Sequence, residues 1–381
     1  MDETQLRAVL ARLAAGEQPR VDVAAALARG RRGLRWRRAG LTAAPVAAVS
    51  VAALALTGTI PLGALGGKAG PPAPAATERG VTAYVALLCS KGIRPVNVAT
   101  GRPGPAIGSG SSYQYLVLTP DGKTIYAASG DTHVVTPIST ATGRAGTPIS
   151  IAASGWASGL AITPNGRTVY VLDGSTGAVT PISTATNTAG RPIPIGPDGN
   201  PPGAAATLAV TPDGKTLYAL NGRQGTVTPI STATGTTGKP VHLGLAPGFA
   251  IVIPARGQTA YVFRWSEDLV TPISTVTGAA GKPIKLPAYA LGPVAAAPDG
   301  NTVYVGVRRG GLLPISAVTG AAGTPVRMSV PATAITFSPD GRVAYATNEA
   351  SGTVTPVSIG TGAAGKPIRV GGCPMSVVMA R

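Results

Sequence analysis

The sequence predicts an all-β fold built from seven copies of one four-stranded unit, a seven-bladed β-propeller, and three observations carry that prediction. A Tyr recurs at Tyr84, Tyr126, Tyr170, Tyr218, Tyr261, Tyr304 and Tyr345, with a mean spacing of about 43 residues, the length of a four-stranded blade. Ten or eleven residues after each Tyr stands a Pro: Pro95, Pro137, Pro181, Pro229, Pro272, Pro314 or Pro356. The 52 Gly and 36 Pro with only 12% charged residues demand many turns, while 44% hydrophobic residues supply a core.

The chain of 381 residues opens with a polar lead, residues 1–38, that holds nine Arg against four acids. Within it "TQLRAVLARLAAG" places Leu6, Val9, Leu10 and Leu13 at helical spacing, which predicts a short cytoplasmic helical segment. No charged residue occurs from Ala39 to Gly67, and "LTAAPVAAVSVAALALTGTI" (Leu41–Ile60) has the roughly 20 apolar residues a membrane helix needs. Residues 39–65 are therefore expected to form a transmembrane helix. "RRGLRWRR" precedes it and only Lys68 follows before Glu78, so the amino terminus should be cytoplasmic and the bulk of the chain external. The alternative is a cleaved signal, twin-arginine through Arg31 and Arg32; the 38-residue lead favours an anchor. Residues 66–79, rich in Pro, Ala and Gly, form an extended linker.

Residues 80–381 hold the repeats. Each unit has an apolar run such as "TLAVTP", a Pro-Asp-Gly turn, "KTLYALN", a loop, "TVTPIS", a Thr-Gly turn and "GKPVHL". Pro presets one dihedral of the first turn and Gly accepts positive φ. The wording "PDGKTLYALN…GTVTPISTATG…GKPV" closely resembles the YVTN-repeat β-propeller family, from Gly80 to the carboxyl terminus. The resemblance implies a seven-bladed propeller and leaves the activity open.

The first unit lacks an innermost strand and the chain ends in one without a blade, so Met375–Ala380 should complete blade 1 and close the ring. The two cysteines, Cys89 and Cys373, fall in loops on one rim, and an external compartment permits a disulfide between them.

Function is expected where the repeats differ. Trp156, Phe249, Trp265 and Tyr289, with Tyr113, lie in loops on the cysteine-bearing upper rim, as does the insertion "GPDGNPPGA" (Gly196–Ala204). The fourth letters of the Tyr tetrads, Leu87, Ser129, Asp173, Asn221, Arg264, Val307 and Asn348, are expected to ring the channel mouth. Asp173, Asn221, Arg264 and Asn348 beneath those aromatics suit a polar ligand: an envelope protein, peptide or glycan. The lower rim, made of repeated turns, reads as scaffold. The formal charge of +17 favours anionic surfaces, and nucleic acid only weakly.

Catalysis has little support. Similar propellers that act as lactonases use acidic residues around a channel metal, and the entering strands here carry no carboxylate. His133 and His242 are the two histidines and stand on separate elements, and no Ser-His-Asp or Cys-His arrangement occurs. No cofactor or metal is expected. The sequence thus points to a non-catalytic extracytoplasmic binding or scaffold propeller, with a lactonase-like hydrolase or a purely structural envelope protein as alternatives.

Overall fold

The computed structural model describes residues 80–108, 110–151, 156–195, 206–222, 224–244, 250–264, 267–287 and 292–380. The lead, the apolar segment 39–65 and the linker lie outside the described residues. Among the described residues no helix is long and apolar enough to cross a membrane.

Seven antiparallel sheets follow one another in chain order. In blade 4 the innermost strand is Ala206–Val210, followed outward by Thr216–Asn221, Thr226–Ser231 and Val241–His242. The other blades repeat this order, and blade 3 adds a second short outer strand, Ile193–Pro194 beside Thr188–Ala189. Innermost strands run from the upper rim to the lower. Consequently the turns between first and second strands and between third and fourth strands all fall on the lower rim.

The second strands read as continuous apolar runs because both of their faces are covered. Thr168–Asp173 is buried at every residue after the first, since a neighbouring blade packs on each side. The core is divided accordingly into seven layers, one between each pair of adjacent blades. Blades 2 and 3 share Tyr126, Val135, Leu160 and Val171, and blades 7 and 1 share Tyr345, Val354, Val85 and Val377.

Each recurrent Tyr is buried, and the hydroxyls of Tyr126, Tyr170, Tyr218 and Tyr261 bond to the next blade. Tyr126 Oη donates to Asn187 Oδ1 of the next blade at 2.6 Å, and Tyr218 Oη to the Thr275 carbonyl at 3.3 Å. Burial raises the Tyr126 and Tyr218 hydroxyls above their ordinary pKa, which keeps them protonated donors at neutral pH.

The recurrent Pro stands opposite the Tyr on the third strand, as in Tyr218↔Pro229. In an antiparallel ladder one residue's nitrogen and carbonyl point the same way, so the missing N–H faces the outermost strand. There the Pro229 carbonyl accepts from Gly238 N at 2.7 Å, and a Cβ on Gly238 would meet the Pro229 ring at 3.0 Å. That arrangement trims the outermost strand to Val241–His242. Outermost strands only two residues long resist edge-to-edge association.

The Pro-Asp-Gly turns are closed by their own side chains. Thr211 Oγ1 donates to Asp213 Oδ1 at 2.6 Å, and Lys215 N donates to the same oxygen at 3.0 Å. Asp121 is held in the same way by Thr119 and Lys123. The hydroxyl bond first and the backbone bond second hold both carboxyls below the usual carboxylate range. Because the folded pKa lies below the unfolded one, these turns stabilise the fold above the unfolded value and lose that support as pH falls through the folded value. Asn165 makes the same pair of bonds in blade 3 without titrating. Replacing both Asp121 and Asp213 with Asn is therefore expected to flatten the acid limb of stability below about pH 4 while leaving the neutral value nearly unchanged. Urea midpoints measured across pH check this.

The ring closes as the sequence implies. Pro374–Ala380 pairs with Thr82–Leu87, with Thr82↔Ala380 at one end and Leu87↔Pro374 at the other. On the upper rim Cys89 and Cys373 form a disulfide with Cα atoms 5.3 Å apart and a sequence separation of 284 residues. Seven blades, closing strand and disulfide all lie within Thr82–Ala380.

Candidate functional site

The polar letters that end the second strands all stand on the upper rim, one strand out from the axis. Asp173 pairs with Ala157, and Asn221 with Ala206, the first residues of their innermost strands. Asp173, Asn221, Arg264 and Asn348 are all buried, Asp173 at 2% and Asn221 at 1% exposure, and each holds a neighbouring loop. Asp173 Oδ1 accepts from Ser175 N at 2.8 Å and Ser175 Oγ at 2.6 Å. Asn348 Oδ1 accepts from Ser351 N and Ser351 Oγ, both at 2.6 Å, and its amide donates to the Pro331 carbonyl. Asn221 closes on Gln224 through both amide atoms at 3.1 Å. Arg264 Nη1 donates to the Leu243 carbonyl at 2.7 Å and meets Glu267 Oε2 at 2.9 Å. Short polar side chains do this at strand ends because they bond to backbone two or three residues on.

The aromatic residues divide. Trp156 is 40% exposed on the upper rim, whereas Tyr113 is buried between blades 1 and 2. Phe249, Trp265, Tyr289 and the insertion Gly196–Ala204 lie outside the described residues. His133 precedes Val134 on blade 2, and His242 ends the outermost strand of blade 4. Among the described residues no group of three or more His, Cys, Asp or Glu could hold a metal ion.

A cavity of ≈ 170 Å³ opens at the lower end of the axis, the rim expected to be scaffold alone. Innermost strands of six blades supply Val117, Ile162, Val210, Ala296, Phe337 and Val378, and the turn of blade 2 supplies Thr119 and Asp121. Hydroxyls of Thr163, Thr336 and Ser338 also line it; those of Thr163 and Ser338 already donate to Asn165 and Asp340. Its walls are mainly apolar because the innermost strands of blades 2 to 7 end in apolar residues just ahead of a Pro. That recurring ending is the signal in the sequence, and only ring closure brings the endings together.

The whole propeller is similar to solved structures. A periplasmic gluconolactonase of Pseudomonas aeruginosa matches with a TM-score of 0.64 at 16% identity, over 79% of this chain and 99% of that one. A Bacteroides uniformis protein assigned as a 6-phosphogluconolactonase matches with a TM-score of 0.63 at 18% identity, over 79% and 99%. Hydrazine synthase of Kuenenia stuttgartiensis matches with a TM-score of 0.60 at 22% identity, over 70% and 89%. No family model and no curated protein matches the chain. At these identities the likeness is one of fold, a seven-bladed propeller.

Proposed function

We propose that this chain is a membrane-anchored extracytoplasmic propeller of the lactone-hydrolase class, taking a single-ring lactone at the lower axial cavity. Its support is the whole-length likeness to structures named as gluconolactonase and 6-phosphogluconolactonase, together with the size of the cavity. A volume of ≈ 170 Å³ compares with the roughly 150 Å³ that admits one benzene ring in an engineered cavity. Hydrolysis would add water across the lactone: the water oxygen bonds to the carbonyl carbon, the ring C–O bond breaks, and a proton passes to the ring oxygen. Asp121 is the carboxylate this cavity offers. Thr119 and the Lys123 N–H keep it ionised at neutral pH, which suits it to orient water and makes it a weak base.

The second reading is a non-catalytic binder that takes an envelope protein, peptide or glycan on the upper rim. The exposed Trp156 favours it, with Phe249, Trp265 and Tyr289 as companion contacts and Asp173, Asn221, Arg264 and Asn348 as supports beneath. One experiment separates the classes: residues 80–381 are incubated with gluconolactone and 6-phosphogluconolactone, and acid release is compared with spontaneous hydrolysis. Turnover that falls in Asp121→Asn supports the hydrolase. Absence of turnover, with capture of envelope glycan or peptide that Trp156→Ala abolishes, replaces it with the binder. For the anchor, protease applied to intact cells should degrade the propeller and spare residues 1–38.

A further inference from the structure

The lower axial cavity is walled mainly by hydrocarbon, with Val117, Ile162, Val210, Phe337 and Met379 among its lining. Four side chains with hydroxyls also line it: Thr119, Thr163, Thr336 and Ser338. Three of them are committed to the turns. Thr119, Thr163 and Ser338 donate to Asp121, Asn165 and Asp340, and each accepts in return from a backbone N–H, that of Thr124, Thr168 or Val343.

Thr336 differs. It is 7% exposed on the innermost strand of blade 7, Ala334–Phe337, and among the described residues its hydroxyl has no hydrogen-bond partner. The repeat does not require a hydroxyl at this place: three residues ahead of the Pro that ends the innermost strand, blades 2 to 6 carry Val117, Ala161, Ala209, Ile251 and Ala295. A buried hydroxyl left unpaired is costly, and a carbonyl oxygen bound in the cavity would accept from it.

We propose that the cavity selects alkyl-substituted lactones over polyhydroxylated ones, with Thr336 donating to the lactone carbonyl. The ring methylenes and the alkyl group then meet the apolar walls, and the one free donor meets the one strong acceptor. A sugar lactone brings several further hydroxyls, each of which would give up water without finding a partner there. The choice of a lactone rests on the hydrolase reading above; the preference for an apolar ring with one carbonyl does not.

The test on the full chain therefore has two arms. Binding is measured by calorimetry with cyclohexanone, methylcyclohexanone and pentahydroxycyclohexanone, which keep ring and carbonyl and cannot be hydrolysed. Methylcyclohexanone should bind about fourfold more tightly than cyclohexanone, and the pentahydroxy ketone at least about tenfold more weakly. Thr336→Val, which keeps the shape of the side chain, should weaken ketone binding by about fivefold without lowering the melting temperature, because the hydroxyl it removes holds nothing in the fold. Val210→Thr should narrow the gap between the two substituted ketones. In the second arm, acid release from δ-hexalactone should exceed that from gluconolactone by at least about tenfold in kcat/KM. Absence of ketone binding, a pentahydroxy ketone bound as tightly as methylcyclohexanone, or unchanged affinity in Thr336→Val would overturn the inference. Faster turnover of gluconolactone would overturn it too, and would leave the hydrolase reading standing. Ketone binding in the expected order with no acid release from either lactone sustains the cavity assignment and overturns the hydrolase reading alone.

Discussion

Reducing the Cys89–Cys373 disulfide is expected to cost the propeller about 3–5 kcal/mol of stability, the value for closing a loop of several hundred residues in the chain-entropy model. The bond spans 284 residues, so without it the unfolded chain regains nearly the whole freedom of the ring. What then holds the ring shut is the ladder between Thr82–Leu87 and Pro374–Ala380, together with the layer in which Val377 packs against blade 7. Melting of residues 80–381 with and without reductant should differ on the order of 10 °C. Replacement of both cysteines by Ser should reproduce the reduced value and make it indifferent to reductant. Identical melting of the oxidised and reduced forms would show that the ladder alone sustains closure.

Truncating one recurrent Tyr should have a comparable effect. Tyr126 is 1% exposed in the layer between blades 2 and 3, and its hydroxyl crosses to Asn187. Tyr126→Ala removes a ring from a close-packed layer and is expected to cost about 3–5 kcal/mol. Tyr126→Phe keeps the packing and removes one hydrogen bond, for about 1 kcal/mol. Denaturant midpoints of the two variants separate the contributions. If Phe costs as much as Ala, the inter-blade hydroxyl contact rather than the packed ring carries the role of these residues.

Both expectations begin with features legible in the chain. The Tyr and Pro period set the number of blades, and the unmatched segments at the two ends of the repeat implied closure through Met375–Ala380. The cysteines could be paired because alternating strand direction assigns each loop to a rim. The same logic located the polar letters at the upper ends of the second strands. What it did not show is that Asp173, Asn221, Arg264 and Asn348 are buried there, each holding a loop.

The repeat pattern determined the strands and turns of this protein, and the unmatched segments at its two ends determined the closing strand and disulfide, because each depends on dihedral preference, period or strand direction. Only the tertiary structure decided where space remains. The cavity at the lower axis is bounded by apolar residues from six separate blades, and no segment of the chain contains that arrangement. The lower rim is likewise a property of the closed ring: Lys123 and Arg342 are far apart in sequence and stand on one face because every blade turns at the same end. A repeat specifies its unit locally, whereas the axis and rims belong to all seven units at once.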